Sequence, residues 1–336
     1  MTGEGRDLPS VLFDPEVNRA IHDALPGVVV DALGVLTTLG DGAVLVALAV
    51  LLYWFGAEEV RDRRAMVLGV AVATLALVSG LKGILEVQRP LFAASPPLAF
   101  APATYPGWST PSAHAMGAAA VYGALAVVMD VGSRRLRYAV AGSIIVTVAL
   151  SRIVLGLHYV GDVVLGVLLG LLLVVLAVRL GRESVTAMFA LSLGIALAAF
   201  VLGSREFTEM AIGASLGGLV VWPLVRARDS DALGASMLVL GLLVISVLAA
   251  VRLLEVLVTL GGGTSIGAGV PGWAAAVVLT VGYGVAFGAA VAVPFAAATL
   301  NDTRGVRWLQ TLLPFVGRTV DREAVGEAPE LDDGRE

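Results

Sequence analysis

An all-α, polytopic membrane helix bundle is the fold class this sequence predicts. Hydrophobic residues make up 58% of the chain and charged ones 15%, where a soluble domain carries about 45–50% and about 25%. The apolar residues gather in runs of roughly 16–20, the length a helix needs to cross a hydrocarbon layer of roughly 30 Å. Lipid-exposed backbone must satisfy its own hydrogen bonds, so each run is expected to be a helix.

Taken in order, residues 1–26 are polar, with Pro9, Pro15 and Pro26 as breakers. They read as a surface segment carrying an ordinary surface histidine, His22, and lack the basic start and apolar run of a cleaved signal. Residues 27–39 are apolar but hold Asp31 and stop at Gly40 and Asp41, which suits an interfacial or re-entrant piece better than a full span. Six spans are then expected at 42–55, 65–85, 111–129, 138–155, 163–178 and 185–203. Three more follow at 210–225, 232–251 and 273–300, the last long enough to hide a break. The expected division is a polar segment (1–26), a membrane core (27–205), additional transmembrane helices (206–300) and a charged cytoplasmic tail (301–336). A glycine-rich run at 261–267 reads as flexible linker.

Arginine placement orients the bundle. Arg61, Arg63 and Arg64, then Arg134, Arg135 and Arg137, then Arg179 and Arg182, then Arg226 and Arg228 all fall on one side by parity. That side is expected to be cytoplasmic, so loops 86–110, 151–162 and 204–209 face outward. The absence of cysteine excludes disulfides, thiolate catalysis and cysteine metal sites. The net charge of −5 gives no argument for nucleic acid.

Against this apolar background the outward loops carry a concentration of chemistry. His158 and Asp162 are four residues apart, one turn on a helix face. A carboxylate there can hold one imidazole nitrogen and leave the other as a lone-pair nucleophile or base. Arg152 adds a planar fork suited to phosphate oxygens. Lys82 lies at the outer end of the second span, Arg89 begins the next loop, and Ser112 and His114 open the third span. Thr110 is a candidate cap with Pro111 at the first helical position, and a helix N-terminus favours an oxyanion. Each feature has a plain alternative: a Lys82–Glu86 ion pair, a structural His158–Asp162 hydrogen bond, a snorkelling His114. Jointly, the only lysine and two of the three histidines at one end of a bundle mark a site, because ionisable groups at a membrane are costly.

Lys82 with Arg89-Pro90, then Pro111-Ser112-Ala113-His114, then Ser151-Arg152 with His158 and Asp162, resembles the three-part signature of the type 2 phosphatidic acid phosphatase superfamily. The resemblance covers about residues 30–205. Ala113 stands where that pattern has glycine, and it keeps the backbone N–H. The resemblance implies a six-helix phosphatase core, followed here by about three further helices. It implies that His158 attacks phosphorus to form a phosphohistidine, that Asp162 orients His158, and that His114 protonates the leaving oxygen. Lys82, Arg89, Ser112, Arg152 and the Ala113 N–H would bind the phosphoryl oxygens. The implied substrate is a lipid phosphate or diphosphate at the outer face of the cell membrane, with membrane lipid as the surrounding partner and no metal or other cofactor. A transporter or flippase that binds such a lipid without hydrolysis is the alternative, motivated by the extra spans. Scarce lysine with abundant Ala, Val, Gly, Asp and Glu also resembles the composition of proteins from salt-loving archaea.

Two Gly-x-Ser-x-Gly stretches, 213–217 and 263–267, match a hydrolase pattern but lack its strand–turn–helix setting. The first, with the pairs Gly166/Gly170 and Gly284/Gly288, is expected to be a small-residue packing face.

Overall fold

The computed structural model describes residues 11–55, 61–95, 98, 107–180, 184–202, 207–228, 232–260 and 272–312. The glycine-rich run at 261–267, with the second serine motif, lies outside them, as do residues 1–10 and the tail beyond 312. Among the described residues the regular structure is all helical. The helices are α1 (Pro15–Asp23), α2 (Gly27–Leu36), α3 (Gly42–Trp54), α4 (Arg61–Leu85), α5 (Ala113–Val128), α6 (Arg134–Val154), α7 (Val160–Leu180), α8 (Ser184–Val201), α9 (Thr208–Val225), α10 (Gly234–Leu260), α11 (Gly272–Ala296) and α12 (Arg304–Leu312). A single turn at Pro90–Ala93 and short 3-10 turns at Thr37–Gly40 and Ala297–Leu300 join them.

Helices α4, α6, α7, α9, α10 and α11 are long and apolar enough to cross a membrane. Helices α3, α5 and α8 are apolar but shorter; the 13 residues of α3 rise only about 20 Å. These nine correspond to the nine expected runs, and the chain is a multi-pass membrane protein. The last run is one continuous span, Gly272–Leu300, that changes character near its end. Pro294 lies within α11, and the chain tightens into a 3-10 turn at Ala297–Leu300.

Helix α5 is the centre of the bundle, packed by α4, α6 and α7. Its buried face is built from Ala115, Ala118, Ala119, Ala120 and Ala124, small residues that let membrane helices approach closely. Gly166 and Gly170 of α7 complete that approach. A Cβ on Gly166 would lie 2.8 Å from the Ser112 carbonyl oxygen, and one on Gly170 would lie 2.9 Å from Ala119 Cβ.

The ends of the bundle differ chemically. At one, Asp130 pairs with Arg63 at 3.4 Å and with Arg137 at 3.9 Å, and Arg61 sits 5.1 Å from the Phe295 ring centroid. At the other, the C-terminal ends of α4 and α6 meet the N-terminal ends of α5 and α7.

The three extra spans are joined to this body. Helix α9 packs on α8 and α4, α11 on α9, and α10 on α11. Gly213 and Gly217 face Gly284 and Gly288, where an added Cβ would strike backbone. Ser215 donates to its own helix at Ala211 O, 2.7 Å, so the 213–217 stretch is a packing face. Helix α3 clasps α11 at the proline. Pro294 has no N–H to give the carbonyl of Ala290, four residues back; Trp54 Nε1 donates to that oxygen at 2.7 Å, and Tyr53 Oη donates to Val291 O at 2.8 Å.

One expectation needs correction. The described part of the 1–26 stretch, residues 11–26, is more than a surface segment: α1 docks against α6 and the turn before α7. Asn18 is fully buried, and Phe13 stacks obliquely on Tyr159 with centroids 5.7 Å apart. His22 is no ordinary surface histidine, because its Nδ1 donates to Val154 O at 3.0 Å. The physical reason is helix-end chemistry. The last carbonyls of α6 lack intrahelical donors, and α1 supplies them. The chain then bends by 119° into residues 27–40. That piece starts beside α6 and ends at Asp41, which touches His114, so it begins and ends at the same end of the bundle without crossing.

Candidate active site

The turn from α6 to α7 sets the position of His158. Helix α6 stops because Gly156 takes a left-handed φ of 65°, the conformation that ends helices and favours glycine. The chain folds back so that the N–H groups of Leu157 and His158 both donate to Arg152 O, at 3.1 and 3.2 Å. Asn18 Nδ2 then gives one hydrogen to Ile153 O at 2.8 Å and the other to His158 O at 2.9 Å. Arg152 and His158 are thereby fixed to one rigid turn.

Both ring nitrogens of His158 have defined neighbours. Arg89 Nη1 lies 3.0 Å from Nε2. A guanidinium only donates, so Nε2 is the acceptor and carries the lone pair. The ring proton therefore resides on Nδ1, which faces Ser109 Oγ at 3.4 Å and Asp162 Oδ2 at 3.5 Å. The imidazole lies in the turn between the two helices, 1% exposed. Burial, then the positive charges of Arg89, Arg152 and Lys82, hold its pKa well below the ordinary histidine range.

Asp162 is oriented by more than the histidine. Its Oδ2 accepts from Ser109 Oγ at 2.5 Å and from the Tyr159 N–H at 2.9 Å, and its Oδ1 accepts from Thr110 Oγ1. The expected His158–Asp162 pair exists, but at 3.5 Å it acts mainly through charge. The short bonds go to Ser109 and Thr110. Thr110 is accordingly not the cap of α5. Ser112 caps it, accepting from Ala115 N at 3.4 Å, and Ala113 rather than Pro111 is the first helical residue. The N–H of Ser112 donates to Asp162 O at 3.1 Å, tying the start of α5 to the start of α7.

The cations close around this dyad. Lys82, Arg89 and Arg152 are all buried. Lys82 Nζ donates to Trp108 O at 2.7 Å. The Lys82–Glu86 spacing is not a helical pair, because α4 ends at Leu85 and Glu86 leaves with a φ of 48°. Arg89 reaches across the loop, with Nε donating to Gly107 O at 3.0 Å and Nη1 to Leu157 O at 2.9 Å. Arg152 Nη1 donates to Thr37 Oγ1 at 3.0 Å. His114, on the first turn of α5, has Nε2 2.7 Å from Asp41 Oδ1. Ala113 lies beside it, where the opening N–H groups of a helix point outward.

All eight nominated residues, Lys82, Arg89, Ser112, Ala113, His114, Arg152, His158 and Asp162, lie at this one end of the bundle. Five further residues were not found from sequence: Asn18, Thr37, Asp41, Ser109 and Thr110 as an aspartate ligand. Asp41 had a signal, being one of two acids in the 27–55 stretch. Asn18 had none.

The family model of the PAP2 superfamily matches residues 64–186, a stretch that contains all eight nominated residues and excludes Asn18, Thr37 and Asp41. No curated protein matches. Among solved structures, the chain is similar to a transmembrane PAP2-type phosphatidylglycerolphosphate phosphatase from Bacillus subtilis, with 29% identity, 51% of this chain and 85% of that one covered, and a TM-score of 0.42.

Proposed function

We propose that the protein is an integral membrane phosphatase that hydrolyses a lipid phosphate or diphosphate through a phosphohistidine, at the extracytoplasmic face. The observation that carries this reading is the state of His158: a neutral imidazole whose Nε2 lone pair meets the Arg89 guanidinium while a buried carboxylate stands behind Nδ1. A cradle that only binds phosphate needs cations. It has no use for a nucleophile held in one tautomer, and this argues for hydrolysis over lipid translocation.

In the proposed reaction, Arg89 Nη1 moves from Nε2 onto an equatorial phosphoryl oxygen. Lys82, Arg152, the Ser112 hydroxyl and the Ala113 N–H take the remaining oxygens. Nε2 forms a bond to phosphorus as the P–O bond to the alcohol breaks, and His114 gives its proton to the leaving oxygen. The Asp162 charge stabilises the cationic ring. Water then attacks phosphorus, the P–N bond breaks, and the water proton returns to His114. Charge stabilisation of this kind is the main protein contribution to phosphoryl transfer, and one lost donor costs about 10²–10³ in rate.

The test is phosphate release by purified protein from phosphatidic acid, phosphatidylglycerol phosphate, a polyprenyl diphosphate and a soluble phosphomonoester. The expected result is release from at least one lipid, lost in His158→Ala. Unchanged release in that variant would reject the mechanism, and binding without release from any substrate would favour a transporter.

A further inference from the structure

The geometry points to Asp41 as a positioning residue for the acid half of the reaction, holding the His114 ring aimed through its Nε2. This inference rests on the phosphatase reading above. Three observations carry it. First, Asp41 Oδ1 lies 2.7 Å from His114 Nε2, within the range of a charge-assisted hydrogen bond. Second, Asp41 is the N-cap residue of α3, where a carboxylate ordinarily accepts from the first backbone N–H groups, yet its side chain makes no capping bond. The carboxylate goes to the histidine instead. Third, the chain is built to bring it there. A Cβ at Gly40 would lie 3.1 Å from His114 Cβ and 2.6 Å from Val148 Cγ1, so only glycine lets this segment approach. Tyr122 Oη holds the same segment by donating to Leu39 O at 2.9 Å, and Thr37 receives Arg152.

The site thus contains two histidine–carboxylate pairs joined through opposite nitrogens. Asp162 faces Nδ1 of His158 and leaves Nε2 to attack. Asp41 faces Nε2 of His114 and leaves Nδ1 as the nitrogen whose proton is transferred. In the first half-reaction the Nδ1–H bond breaks, an O–H bond forms on the leaving alcohol, and the P–O electron pair goes to that oxygen. In the second half, Nδ1 recovers a proton from the attacking water. Nε2–H stays on Asp41 throughout. His114 also faces the positive charges of Lys82 from α4 and Arg152 from α6, with His158 in the adjacent turn. Asp41 is the negative charge that opposes them at this ring, and it stands 42% exposed.

The experiment compares two leaving groups in Asp41→Asn. An alkyl phosphate, dioctanoyl phosphatidic acid, needs its oxygen protonated, whereas p-nitrophenyl phosphate releases a stable phenolate. Turnover of the alkyl phosphate is expected to fall about 10²-fold, the low end of general acid catalysis, with p-nitrophenyl phosphate changing by less than about threefold. The alkaline limb of kcat/KM should move to lower pH, and Asp41→Glu should restore both. Equal losses on the two substrates with an unmoved pH profile, or no loss on either, would overturn the role of Asp41. His158→Ala run alongside separates this from the underlying mechanism. If that variant turns over both substrates like wild type, the phosphohistidine reading falls together with the role of Asp41.

Discussion

His158 shows how one side chain is tuned by what surrounds it. Its neutral state follows from burial and from three cations, and its tautomer from a guanidinium that can only donate. A pH dependence follows. The ordinary histidine value is about 6.5, and the folded value lies below it. Between the two, the unfolded chain binds a proton that the folded chain does not, so stability from this group is complete above the ordinary value and declines as pH falls through that window. The proposed nucleophile stays neutral over the same range. The acid limb of kcat/KM, which reports the free enzyme, should therefore lie below the ordinary histidine pKa; a limb centred at or above it would mean that the ring titrates like an exposed histidine. The eight nominated residues were legible because each lies within a short spaced motif. Asn18 was not, because the carbonyls it serves are 135 and 140 residues away and an asparagine in a polar stretch carries no periodic signal.

Among the elements, the helices were legible where apolar length alone decides them, and less so at their ends. The start of α5 is ambiguous in the sequence because Thr110, Pro111 and Ser112 can each begin a helix. Asp162 resolves the choice by taking the Thr110 hydroxyl, which leaves Ser112 to cap. The clasp of α3 on α11 follows the same logic of a freed backbone group finding a side-chain donor. Trp54→Phe removes the donor to Ala290 O that Pro294 cannot supply. It should lower stability in detergent by about 1–2 kcal/mol. Tyr53→Phe should cost less, since the residue four on from Val291 is Phe295, which has an N–H to offer, whereas the one four on from Ala290 is Pro294. Thermal unfolding of the two variants checks the order, and a larger loss in Tyr53→Phe would contradict it.

For the molecule as a whole, the two ends of the bundle carry opposite assignments. Arginines with Asp130 gather at one, and the cationic site under α1 and the 27–40 segment at the other. The sidedness came from arginine parity alone, and the helix directions reproduce the same grouping. The docking of α1 is hard to read because its polar contacts go to carbonyls at the end of α6 and in the following turn, which no side-chain pattern announces. The chain has no cysteine, so a single introduced one reports topology cleanly. Glu86→Cys should react with a membrane-impermeant maleimide on intact cells, and Arg135→Cys only after permeabilisation. The reverse pattern would place the site inside.

The most direct measurement of the central claim is capture of the covalent intermediate. Purified protein is mixed with a lipid phosphate carrying a labelled phosphoryl group, quenched within a turnover and digested. The expected result is label that is stable to alkali and lost in acid, on the peptide bearing His158, and absent from His158→Ala. Label on any other residue, or full phosphate release by His158→Ala, would contradict the claim that this imidazole takes the phosphoryl group.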